Sequence, residues 1–401
     1  MSSPALIKAL DQTALRAVID QHARYLSGMP GGRRANLTYC DLANCSLEGV
    51  DLSDADLTGA RLNSALLKNA RLNRTILFGA DMREADLRFA SLKRADLRGA
   101  CLRGANLSGA ELVGCDLREG LIALQDAKNG FRLLSHQKRP GELDYAVLRG
   151  ANLQGAQMSG TFALAADFRD ATLTNAVLQG ARLKNANLGG ADLSGADLSA
   201  ADLSGASLKG AVVAGANIER AVVDKADLSD LLRAPPTSVY IDDVPLQEVL
   251  DAHEAWCDTG GIQGKAARVP DVDFRPVRNM AKRRLTALHA PRGVFFGMNL
   301  AGAQLQGSDL TGADLRGVDL RNADLRGARM LGVQLQRADL RGAKLGPLVI
   351  GEGRFVRADL SQAILAHADL RGADLNRARL IDVDLDGAKT DGAGLELAEV
   401  A

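Results

Sequence analysis

From Ala186 to Leu208 the chain reads Ala-Asn-Leu-Gly-Gly, Ala-Asp-Leu-Ser-Gly, Ala-Asp-Leu-Ser-Ala, Ala-Asp-Leu-Ser-Gly, Ala-Ser-Leu, and this five-residue beat constrains the fold more than any other feature. An α-helix advances about 100° per residue, so leucines five apart fall about 140° apart and smear round the cylinder. A straight strand fails too, because an odd spacing throws successive leucines onto opposite faces. The leucines share one interior only if the chain turns once in every five residues. Tight turns favour Gly or small polar residues, and Gly recurs two places after most of these leucines. The alanine two places before the leucine points the same way and must be small. A fixed short period of this kind is the signature of a solenoid.

Repeated along roughly three quarters of the chain, the Ala-(Asp/Asn)-Leu-x-Gly beat resembles the pentapeptide-repeat family. That resemblance implies an all-β solenoid, a right-handed quadrilateral β-helix with four repeats per coil. The leucine and alanine positions would fill its interior. It implies no single activity.

Composition narrows the function classes. Lysine plus arginine (49) equals aspartate plus glutamate (49), so net charge gives no global pull toward nucleic acid. Aromatic residues make up only 3%, which suits a narrow core of leucine and alanine. The first twenty residues hold no uninterrupted apolar core, so no secretory signal is expected, and no apolar run is long enough to span a membrane. Cys40, Cys45 and Cys115 fall in the small interior slot, Cys101 at the outward Asp position, and Cys257 in a helical segment. Their spacing is that of the repeat, with no accompanying His, so they read as buried structural thiols and the expected location is cytoplasmic.

Ala5 to Leu26 reads as an amphipathic helix ended by Ser27-Gly28-Met29-Pro30-Gly31-Gly32. From Leu37 the beat holds to Leu117, fails between Gly120 and Pro140, and returns at Leu143 one residue out of phase. A loop is therefore inserted at about 120–140. The second run ends near Leu228, before Pro235-Pro236. A second helix follows, with Leu246, Val249, Leu250, His253 and Trp256 matching Leu15, Val18, Ile19, His22 and Tyr25 at a constant offset. The chain thus reads as an internal duplication. Residues 1–34 form an N-terminal cap helix and turn, and 35–230 a first solenoid. Residues 231–292 are a linker with a second cap helix and a basic segment, and 293–401 a second solenoid with looser copies near Ile350 and Phe355.

Nothing in the sequence supports a reaction. The five histidines are scattered, and His22 and His253 read as packing groups where helix meets solenoid. Gly260 to Lys265 lacks the first glycine and the hydroxyl residue of a phosphate loop, and Gly351-Glu352-Gly353 lacks the third glycine of a dinucleotide fingerprint. No catalytic, cofactor-binding or metal residue is assigned, and no enzyme or cofactor is expected.

Charge patterning says more. Aspartate often precedes the leucine, as at Asp81, Asp86 and Asp96, and a basic residue often follows it, as at Arg83, Arg88, Lys93, Arg98, Arg103 and Arg118. These residues predict mixed surface ladders or a band for an acidic partner. The inserted loop adds Lys128, Arg132, Lys138 and Arg139, and the segment Arg275 to Arg292 adds Lys282, Arg283 and Arg284, where a short basic helix is expected. The leading expectation is a non-catalytic protein–protein interaction scaffold, its partner unidentified, with a homodimer through a solenoid end as one association. Some fluoroquinolone-resistance members of the family mimic DNA and bind DNA gyrase, so the resemblance implies a DNA-mimic modulator as the alternative. The zero net charge departs from that pattern. A second alternative is nucleic-acid or anionic-surface binding through the basic linker.

Overall fold

The leucine carbonyl of each repeat accepts a hydrogen bond from the N–H three residues on, as from Ala196 to Leu193 at 2.9 Å. The third residue of that four-residue turn has positive φ, +66° at Gly195, which is why glycine recurs there. Aspartate before the leucine completes the turn: Asp192 Oδ1 accepts from Ser194 N–H at 3.0 Å and from its hydroxyl at 2.6 Å. The computed structural model describes residues 7–125, 134–277, 279–395 and 398–399.

Turning once per repeat brings the chain back on itself every 20 residues. Parallel bridges join Thr172 to Asp192 and Asp192 to Val212, and the same step recurs at the residue before each leucine. The backbone of one coil therefore satisfies the next, with Leu193 N–H donating to Val212 O at 2.8 Å and Asp192 N–H to Ala171 O at 2.9 Å. Leu193, Leu198 and Leu203 are at most 1% exposed. Each such leucine contributes on the order of 1.5–3 kcal/mol of burial.

The chain divides into two compact units, Met1–Ala234 and Pro235–Ala401. The first begins with strand β1 (Lys8–Ala9) and helix α1 (Gln12–Leu26). The expected helix from Ala5 is thus shorter. Asp11 caps it through a 2.7 Å bond from Ala14 N–H, and Lys8–Ala9 instead pair in parallel with β2 (Cys40–Asp41) on the first coil. Leu15 and His22 are buried against that coil. At the expected insertion β3 (Gly120–Gln125) and β4 (Leu134–Arg139) form an antiparallel hairpin. Cys101 then bridges to Glu142, 41 residues on instead of 20.

The second unit opens with β5 (Tyr240–Ile241), β6 (Val244–Pro245) and helix α2 (Leu246–Asp258). Two expectations need correction here. The basic segment Arg275 to Arg292 neither interrupts the coils nor forms a helix beyond a single 3-10 turn at Arg275–Val277. Bridges already run from Arg268 to His289 and from Asp273 to Val294, so coils begin well before residue 293. These pairs lie 21 residues apart and the next, Asn279 to Asn299, 20 apart, so one extra residue at the 3-10 turn shifts the beat. Met280, Leu285, Ala290 and Phe295 then fill the interior, whereas Ala281 is only half-buried. The looser copies near Ile350 and Phe355 are a second hairpin, β7 (Leu348–Gly351) and β8 (Arg354–Val356), with Gly351-Glu352-Gly353 at its turn.

Candidate surface sites

Four of the basic residues singled out in the sequence, Arg83, Arg88, Arg98 and Arg118, are neutralised within their own repeat. Arg88 Nε and Nη2 reach the two oxygens of Asp86 at 2.8 and 2.5 Å, and Arg98 grips Asp96 at 2.8 and 2.7 Å. Arg83 holds Asp81 and Arg118 holds Asp116 in the same two-pronged way. The fork of the guanidinium matches the carboxylate because the residue after a leucine and the residue before it share one outward edge of the turn. The bond from Arg88 holds the Asp86 carboxyl below its ordinary range, and Arg371 draws Asp369 down to about 2.

The remaining candidates divide. Arg103 reaches Asp144 at 3.3 Å across the insertion, Lys93 lies 3.8 Å from Glu111, and Lys138 lies 3.3 Å from Glu119. Arg139 stands at the hairpin base, its backbone paired with Gly120. Lys128 and Arg132 lie outside the described residues. Arg283 and Arg284 are clamps onto α2 and not a free basic face. Arg283 contacts Asp251 and lies 2.8 Å from Glu254, while Arg284 lies 2.6 Å from Asp258. Lys282 occupies an exposed turn with φ +60°.

His22 and His253 are 0% exposed. Nδ1 of His22 accepts from Ala35 N–H at 3.0 Å while Nε2 meets Ser53 O at 3.0 Å. Nδ1 of His253 accepts from Ala267 N–H, also at 3.0 Å. Accepting at Nδ1 requires the unprotonated nitrogen, so both rings are neutral joints between helix and first coil. Burial lowers the His253 pKa. Cys101, expected to face outward, is 2% exposed with Sγ 3.2 Å from a Glu142 oxygen. Burial pushes its thiol up to about 11, so it is not a reactive thiolate. Cys45, expected inside with Cys40 and Cys115, is only half-buried.

Two features escaped the sequence reading. A cavity of about 430 Å³ beside α2 is lined by Ile241, Val244, Val249, Ala252, Lys265 and Arg268, with Asp242 and Glu248 among its remaining lining. The β7–β8 hairpin exposes Val349, Ile350, Phe355 and Val356. A glycine-flanked turn between two short apolar runs was the available signal for the hairpin. Among the described residues no group of His, Cys, Asp or Glu is placed to hold a metal ion, and no helix is long and apolar enough to cross a membrane.

The family model for pentapeptide repeats matches eight copies, over residues 33–69, 80–119, 165–199, 191–230, 299–333 and 354–389. No curated protein matches the chain. Among solved structures, Rfr23, a pentapeptide repeat protein from the cyanobacterium Cyanothece 51142, is 26% identical, covering 32% of this chain and 88% of its own, with a TM-score of 0.28. HetL, a pentapeptide repeat protein involved in heterocyst differentiation regulation from Nostoc sp. strain PCC 7120, is 21% identical over 94% of this chain and 93% of its own, with a TM-score of 0.15. QnrB1, a plasmid-mediated fluoroquinolone resistance protein, is 15% identical over 80% of this chain and 86% of its own, with a TM-score of 0.19.

Proposed function

The chain belongs to the pentapeptide-repeat family, whose members form β-helix solenoids, and from that premise we propose that it is a non-catalytic scaffold that binds other proteins on its outer faces. Each unit, on this reading, is a right-handed quadrilateral β-helix whose first coil is capped by its helix, α1 or α2. The observation that carries the proposal is the filled interior. Leucines, alanines and phenylalanines occupy the inward slots at close to zero exposure, so only the outside is available for recognition. None of the five cysteines forms a disulfide among the described residues, which fits a reducing compartment.

The test is capture on the immobilised full chain, followed by reconstitution with the purified partner. Saturable binding that survives dilution of bulk extract supports the scaffold. A chain that binds no protein saturably but turns over a small molecule overturns it. A DNA-mimic mode is disfavoured by the two-pronged Asp–Arg pairs at Arg83, Arg88, Arg98 and Arg118. They break any continuous acidic stripe, and gyrase supercoiling is expected to be unaffected by the protein.

A further inference from the structure

We propose that the β7–β8 hairpin is the docking site for an extended acidic peptide carrying aliphatic or aromatic side chains. This rests on the scaffold reading and names the partner chemistry for one surface of it. The hairpin is an excursion the coil does not need: Arg329 bridges to Asp359 across 30 residues instead of 20, so the coil closes identically once ten are set aside. One side of the excursion is seated, with Leu348 packed over Gly327 so closely that a Cβ there would lie 2.8 Å from it. The other side is open. Val349 and Phe355 are cross-strand partners, 74% and 42% exposed, and Ile350 and Val356 flank them at 53% and 41%. Clustered exposed apolar side chains on a short hairpin mark an interaction surface.

Charge selects the partner. Many coil arginines sit on an aspartate of their own repeat, as Arg341 on Asp339 and Arg371 on Asp369, or of the neighbouring coil, as Arg329 on Asp309 and Arg379 on Asp359. Arg354 and Arg377, by contrast, make no ion pair among the described residues. The Arg377 guanidinium lies 5.8 Å from the Phe355 ring, and Arg357, itself 2.7 Å from Glu399, lies 5.8 Å from the same ring. The only carboxylate within the hairpin is Glu352 at its turn. An apolar patch bordered by uncompensated guanidinium groups suits a ligand with carboxylates spaced between apolar side chains. Among the described residues, strands β7 and β8 pair only with each other, leaving outer backbone edges that an extended segment can bond.

The probe is a fluorescein-labelled peptide alternating aspartate with leucine and phenylalanine, titrated against the full chain by anisotropy. A lysine-for-aspartate peptide and phosphatidylserine vesicles are run beside it. Saturable binding of the acidic peptide is expected, weakened at least ~10-fold by Arg354→Glu with Arg377→Glu and by Val349→Ser with Phe355→Ser. Arg83→Glu is expected to leave it unchanged. Retained thermal melts show that the hairpin variants still fold, since their side chains are exposed. Equal binding of the basic peptide, indifference to the hairpin variants, binding of vesicles but not peptide, or occupation of the patch by a second copy each overturns the proposal. A partner captured on another face while the peptide fails to bind overturns this proposal alone and leaves the scaffold standing.

Discussion

The start of the first unit and the start of the second are the same device fastened differently. In both, a buried histidine accepts from the alanine N–H that opens the first coil, at 3.0 Å, and stacks on the aromatic three residues on, with centroids 5.8 Å apart for His22 and Tyr25 and 5.7 Å for His253 and Trp256. In both, a glycine lies hard against the helix: a Cβ on Gly32 would fall 2.4 Å from Tyr25 N, and one on Gly264 2.0 Å from Ala252 O. The fastenings differ. Helix α1 has an aspartate cap and a strand on the first coil, whereas α2 begins at Pro245 with no side-chain cap and is held by Arg283 and Arg284. The joint needs its neutral imidazole because a coil-edge N–H must be satisfied out of water. The outer attachments differ between the two units.

The largest test of that comparison removes the shared joint. His22→Leu and His253→Leu are each expected to destabilise their own unit by about 2–4 kcal/mol, from a stranded backbone donor and lost packing. Hydrogen exchange of the affected first coil reads the loss unit by unit. If either substitution left exchange unchanged, the joint would not be the common element. Next comes the clamp. Arg283→Met is expected to cost about 1–2 kcal/mol in the second unit, because the guanidinium is largely buried between two carboxylates. Asp20→Asn, at the position matching Asp251 but with no such partner among the described residues, should stay within about 0.5 kcal/mol. Trp256, the single tryptophan, reports the former by fluorescence.

A smaller effect is read by pH in the second unit. His253 has its folded pKa lowered by burial from an ordinary 6.5, so above 6.5 neither state takes up a proton and its stabilisation is complete. As pH falls from 6.5 toward the lower folded value, the unfolded chain gains the proton first and stability is lost. Denaturant midpoints of the second unit should therefore fall between pH 7 and 5, and His253→Leu should flatten that slope. An unchanged slope in the variant would assign the acid sensitivity elsewhere. Smallest of all, Ala200→Gly and Ala287→Gly relieve non-glycine residues at φ +55° and +59°. Each is expected to stabilise its own unit by about 0.5–1 kcal/mol. Equal gains in both units would show that the turn belongs to the repeat and not to the helix above it.

Legibility followed phase. The 21-residue insertion before Glu142 is not a multiple of five, so the beat returns displaced and the excursion shows in the sequence. The ten-residue excursion before Asp359 is a multiple of five, so Ile350 and Phe355 land in leucine phase and pass for repeats while lying outside on a hairpin. The single extra residue near Arg275 had the opposite effect, making true coils look like an interruption. Of the surface residues, the Asp–Arg pairs were readable because partner and arginine are two residues apart. The grip of Arg283 on Asp251 and Glu254 was not, because it joins a coil to a helix about thirty residues away.

The sequence by itself determined the five-residue turn, the leucine and alanine interior, and the duplication of helix and coils, because each depends on spacing within one repeat or on two matching stretches. Only the tertiary structure decided which arginines remain uncompensated, where the helix yields to a strand at Lys8–Ala9, and which apolar residues stand outside. Those outcomes depend on what the neighbouring coil or helix brings within a few ångströms, and a local pattern holds no record of that distance.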